Sequence, residues 1–188
     1  MEKVKFLNNQ IFYTKIESNT INNKKILAEF SKHQTKYNYT HYINNRWENI
    51  YLSQEYVPSI KPLLSYILSL ANKCHRDLIQ PHQTLIIPHD LLGFEKNEFW
   101  FNVALKGQST RLHNHINNAT VSGVYYLKAS ENSPNLFLKS KGQELEIKSK
   151  TGILIFFPSK LDHYVPINQS NTSRISIAFN CYKFPITK

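Results

Sequence analysis

A chain of 188 residues with 41% hydrophobic and 13% aromatic content can bury one sizeable core and is too short for two ordinary domains. Its formal charge of +10 is spread over scattered residues such as Lys3, Lys15, Lys24, Lys32 and Lys36, which fits a cationic surface better than a nucleic-acid groove. Cys74 and Cys181 form no Cys-x-x-Cys pair, and no segment has the apolar length of a signal peptide or a bilayer span, so a reducing, cytoplasmic setting without a membrane is the expectation.

From Met1 to about Tyr56 the chain is rich in Asn, Lys, Thr and Tyr. Apolar clusters at Val4 to Phe6 and Ile11 to Tyr13 predict an edge strand near Gln10 to Ile16, followed by a helix near Lys24 to Lys32. His33 and His41 have no partner at ligand spacing and read as surface or packing residues. Pro58 and Pro62 then punctuate the chain. After them Leu63, Leu64, Ile67, Leu68, Ala71, Cys74 and Leu78 recur at three- and four-residue steps, which predicts an amphipathic helix from about Ile60 to Leu78. Cys74 and His75 are adjacent on that helix and point about 100° apart, which suits packing rather than a shared substrate. Pro81-His82, Pro88-His89-Asp90 and Gly93 mark loops, and His89-Asp90 reads as a turn or helix cap.

From Phe99 onward the pattern is β-like. Strands are predicted at Phe99 to Leu105, Thr120 to Leu127, Asn135 to Lys139, Glu144 to Lys148, Gly152 to Phe157, His163 to Ile167 and Arg174 to Phe179, with turns at Lys106-Gly107, Ser133-Pro134, Lys141-Gly142 and Lys150 to Gly152. Short strands at this spacing make a barrel or sandwich. Between the first two of these, His113 and His115, two residues apart, would project from one face of an extended strand, and His163 arrives as a third imidazole. Such a first shell leaves positions open, as a redox metal needs when it must also bind O2 and a substrate. Three imidazoles equally suit zinc, or a cupin-type iron dioxygenase that uses no keto acid.

Trp100-Phe101-Asn102, His113-Asn114-His115, the run Ser122 to Leu127, Phe156-Phe157-Pro158-Ser159 with His163, and the run Arg174 to Asn180 follow one another in an order that resembles the 2-oxoglutarate-Fe(II) oxygenase family. The resemblance covers about Phe99 to Asn180. It implies a mainly β fold, a double-stranded β-helix of jelly-roll or cupin-like type, with an N-terminal helical layer. The expected organisation is a single domain over 1–188, with a strand and helix extension at 1–98 packing on a catalytic barrel at 99–182. The resemblance assigns iron to His113, His115 and His163, and the wider superfamily's carboxylate position is occupied by His115. Arg174, Ser176 and Asn180 alternate onto one side of a strand. In the resembling enzymes such an Arg, with the Ser two residues on, holds the distal carboxylate of 2-oxoglutarate, for which a planar guanidinium fork is suited. By the same resemblance Tyr126 is expected to supply a hydroxyl to that carboxylate, with Tyr125 pointing the other way, and Asn102 to contact the cosubstrate near iron.

The implied activity uses Fe(II), 2-oxoglutarate and O2, releases succinate and CO2, and hydroxylates an unidentified substrate. The alternatives are a cupin-type metal dioxygenase without 2-oxoglutarate, or a non-catalytic cupin-like binding module. A nucleic-acid partner ranks last, because no groove-reading element is present.

Overall fold

The computed structural model describes residues 1–43, 46–78, 84–87, 99–116 and 119–184. His82 and His89-Asp90 lie outside the described residues, as does the side chain of His75. The chain opens with a hairpin of β1 (Glu2–Phe6) and β2 (Asn9–Lys15). Helix α1 (Asn23–Lys32) follows, its first turn capped by the Asn22 side chain, which accepts from Lys25 N at 3.0 Å. A second hairpin, β3 (Asn38–Ile43) and β4 (Arg46–Tyr51), leads into α2 (Lys61–Leu78). Next come β5 (Thr84–Ile86), β6 (Phe99–Ala104), β7 (Thr110–His113) and β8 (Val121–Lys128). The chain ends with β9 (Leu136–Ser140), β10 (Gln143–Ile147), β11 (Ile153–Pro158), β12 (Asp162–Val165) and β13 (Arg174–Phe184).

Among the described residues these strands form two sheets. The larger runs β1-β2-β11-β8-β13-β6-β4-β3 with β5 added on β13, and the smaller runs β10-β9-β12-β7. Every pairing is antiparallel. The result is the mainly β, double-stranded β-helix expected from the sequence, with a helical layer on the outside of the larger sheet. The predicted strand near Gln10 to Ile16 exists as β2, but it is not an edge. It pairs with β1 on one side and β11 on the other, because Glu2–Phe6, which contains the apolar Val4 to Phe6 cluster, forms a strand of its own outside it.

Period-two alternation divides the core in two. Phe12, Phe99, Phe101, Tyr125, Phe156, Ile177 and Phe179 face the helices and pack with Ile26, Phe30, Leu63 and Ile67. Phe30 stacks on Phe101 with centroids 4.1 Å apart, which ties α1 to β6. Tyr126, Leu136, Leu138, Ile155, Phe157 and Val165 face inward between the sheets. Neighbours Tyr125 and Tyr126 therefore serve opposite layers, and Tyr125 Oη donates to Asn23 Oδ1 at 2.9 Å in the helical layer. No helix among the described residues is long and apolar enough to cross a membrane.

Candidate metal centre and anion pocket

The cavity between the sheets has imidazoles at one part and a buried guanidinium at another, and its walls include Trp100, Asn102, Tyr126 and Ser176. His113 closes β7, and His163 sits directly opposite it on β12. Their ring centroids are 4.2 Å apart. His115 completes the group at 5.0 Å from His113 and 5.3 Å from His163, and one ring nitrogen from each of the three lies within 4.8 Å of the others. That spacing lets three imidazole nitrogens converge on a single ion.

The route by which the histidines converge differs from simple alternation. His115 lies beyond the end of β7, so the two imidazoles do not share a strand face. A bulge also shifts the pairing between His163/Val165 and His113/Thr110, so that Thr110 and His113, three residues apart, both line the cavity. His115 is delivered instead by its backbone. Its N–H donates to Ser159 O at 2.8 Å, and Ser159 N–H donates to Thr120 O at 3.2 Å. The Ser159 hydroxyl is buried against Ser122 Oγ at 2.9 Å, and Ser122 Oγ is 2.8 Å from Asn180 Oδ1. The Phe-Pro-Ser turn thus holds the His115 loop as well as leading to His163.

Hydrogen bonds fix two of the three tautomers. His113 Nδ1–H donates to Arg111 O at 2.8 Å, and His163 Nδ1–H donates to Leu161 O at 3.1 Å. A carbonyl can only accept, so in the neutral form each ring carries its proton on Nδ1 and offers Nε2 to a cation. Burial holds the His163 pKa well below the usual histidine value, with repulsion from His113 adding to it. Burial, with His113 and His41 adding, lowers His115 to about 4. Both imidazoles are neutral at pH 7, so a metal displaces no proton from either.

This produces a pH dependence in the metal-free protein. The unfolded chain protonates His115 and His163 near pH 6.5, whereas the folded chain resists until much lower pH. Their contribution is therefore fully present above about 6.5 and is lost as pH falls from there through about 4, the His115 value. Thermal unfolding of metal-free protein between pH 7 and 4.5 is expected to show a falling midpoint, and His115→Asn should flatten part of that slope.

At the other part of the cavity Arg174 is 2% exposed. Its Nη2 donates to Asn102 Oδ1 at 3.3 Å and its Nη1 to Pro134 O at 3.4 Å. Its Nε has no partner, and among the described residues no carboxylate pairs with it. The guanidinium lies 5.9 Å over the Tyr126 ring. A buried cation in this state is costly unless an anion joins it. The Arg174 fork and the three imidazoles therefore suit a ligand with a carboxylate at one end and a metal-chelating group at the other.

Asn102 sits across from Ser176 in the β6–β13 register. Its amide is already committed, with Oδ1 accepting from Arg174 and from Arg46, and Nδ2 donating to Glu48 O at 2.8 Å. Arg46 and Glu48 were not marked by sequence reasoning. They lie in the Asn-rich N-terminal half, and the only available signal was the alternation of Arg46, Glu48 and Ile50 along β4, which the structure shows buried.

Comparison with known proteins bears on this geometry. The family described as "Putative 2OG-Fe(II) oxygenase" matches residues 138–180. No curated protein matches the sequence. Among solved structures, a Pseudomonas putida prolyl-4-hydroxylase superposes with a TM-score of 0.65 at 16% identity, over 92% of this chain and 94% of that one. A Trichoplax adhaerens prolyl hydroxylase in complex with a hypoxia inducible factor peptide fragment gives 0.64 at 16%, over 92% and 83%. A Burkholderia pseudomallei oxidoreductase of the 2OG-Fe(II) oxygenase family gives 0.59 at 14%, over 83% and 78%. These likenesses show a shared fold. The family match falls on the segment that brings His163 and Arg174 to the cavity, and with the shared fold it supports an oxygenase that uses Fe(II), 2-oxoglutarate and O2.

Proposed function

We propose that His113, His115 and His163 hold the Fe(II), and that Arg174, Ser176 and Tyr126 bind the distal carboxylate of 2-oxoglutarate. Asn102 acts at the same end by orienting the Arg174 fork. The observation that carries this reading is the buried, carboxylate-free guanidinium of Arg174 in one cavity with three converging imidazoles. When bound, the iron and keto acid supply the oxidative decarboxylation and the oxidising equivalent that hydroxylates a substrate.

The chain's own residues bind and orient. His113 and His163 present Nε2 because their Nδ1 hydrogens are held by backbone carbonyls. Phe157 packs against His163 at 4.9 Å and Trp100 against His115 at 5.8 Å, which holds the two imidazole rings in place. Arg174 fixes the far end of the keto acid, so that its chelating end reaches the imidazoles in one orientation. A cupin-like module without a keto acid gives no reason for an unpaired buried Arg174, and is not favoured. A reducing, cytoplasmic setting completes the proposal, supported by two buried cysteines that form no disulfide among the described residues.

The test is oxidation of 2-oxoglutarate by protein reconstituted with Fe(II) under anaerobic conditions and then exposed to O2. Succinate is expected only with iron, and His113→Ala should reduce it to the metal-free background. Equal succinate with and without iron would overturn the proposal.

A further inference from the structure

A second buried guanidinium lies beside Arg174. Arg46, contributed by β4 and 4% exposed, donates from Nη2 to Asn102 Oδ1 at 3.3 Å, the oxygen that Arg174 Nη2 also reaches at 3.3 Å. Two cations thus converge on one neutral amide. Arg46 is otherwise held by Val103 O at 3.1 Å and Thr110 Oγ1 at 3.2 Å, and its Nε has no partner. The carboxylate that faces it, Glu48 Oε1, stands 4.0 Å away, beyond hydrogen-bond distance. Glu48 is itself 6% exposed and lines the cavity, and among the described residues its carboxylate accepts only a long 3.4 Å bond from Arg111 N.

The charges in this buried cluster do not cancel. Two guanidiniums and one carboxylate leave one positive charge uncompensated, and a buried unpaired charge is strongly unfavourable. One further carboxylate makes the group neutral. Burial disfavours the charged form of Arg46, Glu48 opposes that, and repulsion from Arg174 adds to it. An anion between or beside the two forks relieves that repulsion.

We propose that Arg46 is a positioning residue for the cosubstrate: together with Arg174 and the shared Asn102 it makes a two-guanidinium subsite selective for keto acids that carry a distal carboxylate. This rests on the assignment of Arg174 as the cosubstrate anchor. Arg46 acts through its charge and through Asn102, whose oxygen it holds in place. Glu48, which lines the cavity 4.0 Å from Arg46, offsets part of its charge, so removing each of the two charges changes affinity in opposite directions. A merely structural pair would weaken binding both ways.

Calorimetric titration of anaerobic Fe(II)-loaded protein with 2-oxoglutarate, and with 2-oxobutanoate as a keto acid lacking the distal carboxylate, tests this. Arg46→Gln is expected to weaken 2-oxoglutarate about tenfold and to leave 2-oxobutanoate unchanged, because a charge a few ångströms away in a buried site contributes on the order of one decade. Arg46→Lys should recover part of the loss, and Glu48→Gln should tighten 2-oxoglutarate. The inference is overturned if Arg46→Gln alters neither ligand or both equally, or if Glu48→Gln weakens 2-oxoglutarate. Should Arg46→Gln fail to fold, the sign of the Glu48→Gln effect decides. If Arg174→Ala also leaves 2-oxoglutarate binding intact, it is the anchor assignment that fails.

Discussion

Arg174→Met is expected to abolish tight 2-oxoglutarate binding and to leave the ligand-free protein at least as stable as the wild type. The two effects have one cause. In the empty cavity Arg174 is a buried cation with two long hydrogen bonds to neutral acceptors and an unpartnered Nε. Replacing a poorly compensated buried charge by an apolar side chain of similar length is neutral or stabilising, by about 1–4 kcal/mol in comparable cases. With a carboxylate bound the sign reverses, since losing one partner of a buried charge pair costs roughly 2–5 kcal/mol, or about thirtyfold to several thousandfold in affinity. Thermal unfolding of the ligand-free variant, read beside 2-oxoglutarate titration of its Fe(II) form, checks both halves. A variant that unfolds earlier yet binds normally would show that Arg174 is scaffold.

Gly123→Ala is the largest expected loss of stability. Gly123 lies in β8 between β11 and β13, opposite Phe156 and Phe179 in the register. A Cβ there would fall 2.4 Å from Ile155 O and 2.2 Å from the Phe179 ring. A side chain can rotate away, but Ile155 O belongs to a strand held on both sides by β2 and β8. The sheet must spread at its centre, at a cost of about 3 kcal/mol or more. For a chain of this size that is on the order of a 10 °C fall in the unfolding midpoint. Trimming the ring with Phe179→Val in the same chain relieves one contact only, so the double variant should remain well below wild type. A Gly123→Ala protein melting within a degree or two of wild type would contradict the packing described.

Much of the barrel was legible because its strands obey period two with little interference. The opposite facing of Tyr125 and Tyr126, the alternation of Arg174 with Ser176, and the turns at Lys141-Gly142 and Gly152 all follow from local rules. A glycine inside a strand pattern, as at Gly123, suggests close packing or a bulge, and the structure has the close packing. The N-terminal half was less legible, since β3 and β4 are rich in Tyr, Asn and Thr and the buried residues of β4 include the ionic Arg46 and Glu48 beside Ile50 and Tyr51. Hydrophobic patterning has no means of marking the ionic residues among them. The three histidines were brought together as expected, but by a bulge in β7 and a loop anchored on Ser159 O. Both depend on contacts far apart in sequence.

The central claim is that one cavity holds iron at the three histidines and 2-oxoglutarate against Arg174. Anaerobic addition of Fe(II) and then 2-oxoglutarate, followed by visible absorption, tests it most directly. The account predicts a broad charge-transfer band that requires both metal and keto acid, disappears in His163→Ala, and demands far higher 2-oxoglutarate in Arg174→Met. Iron binding with no band at saturating 2-oxoglutarate, or a band indifferent to Arg174, would contradict it.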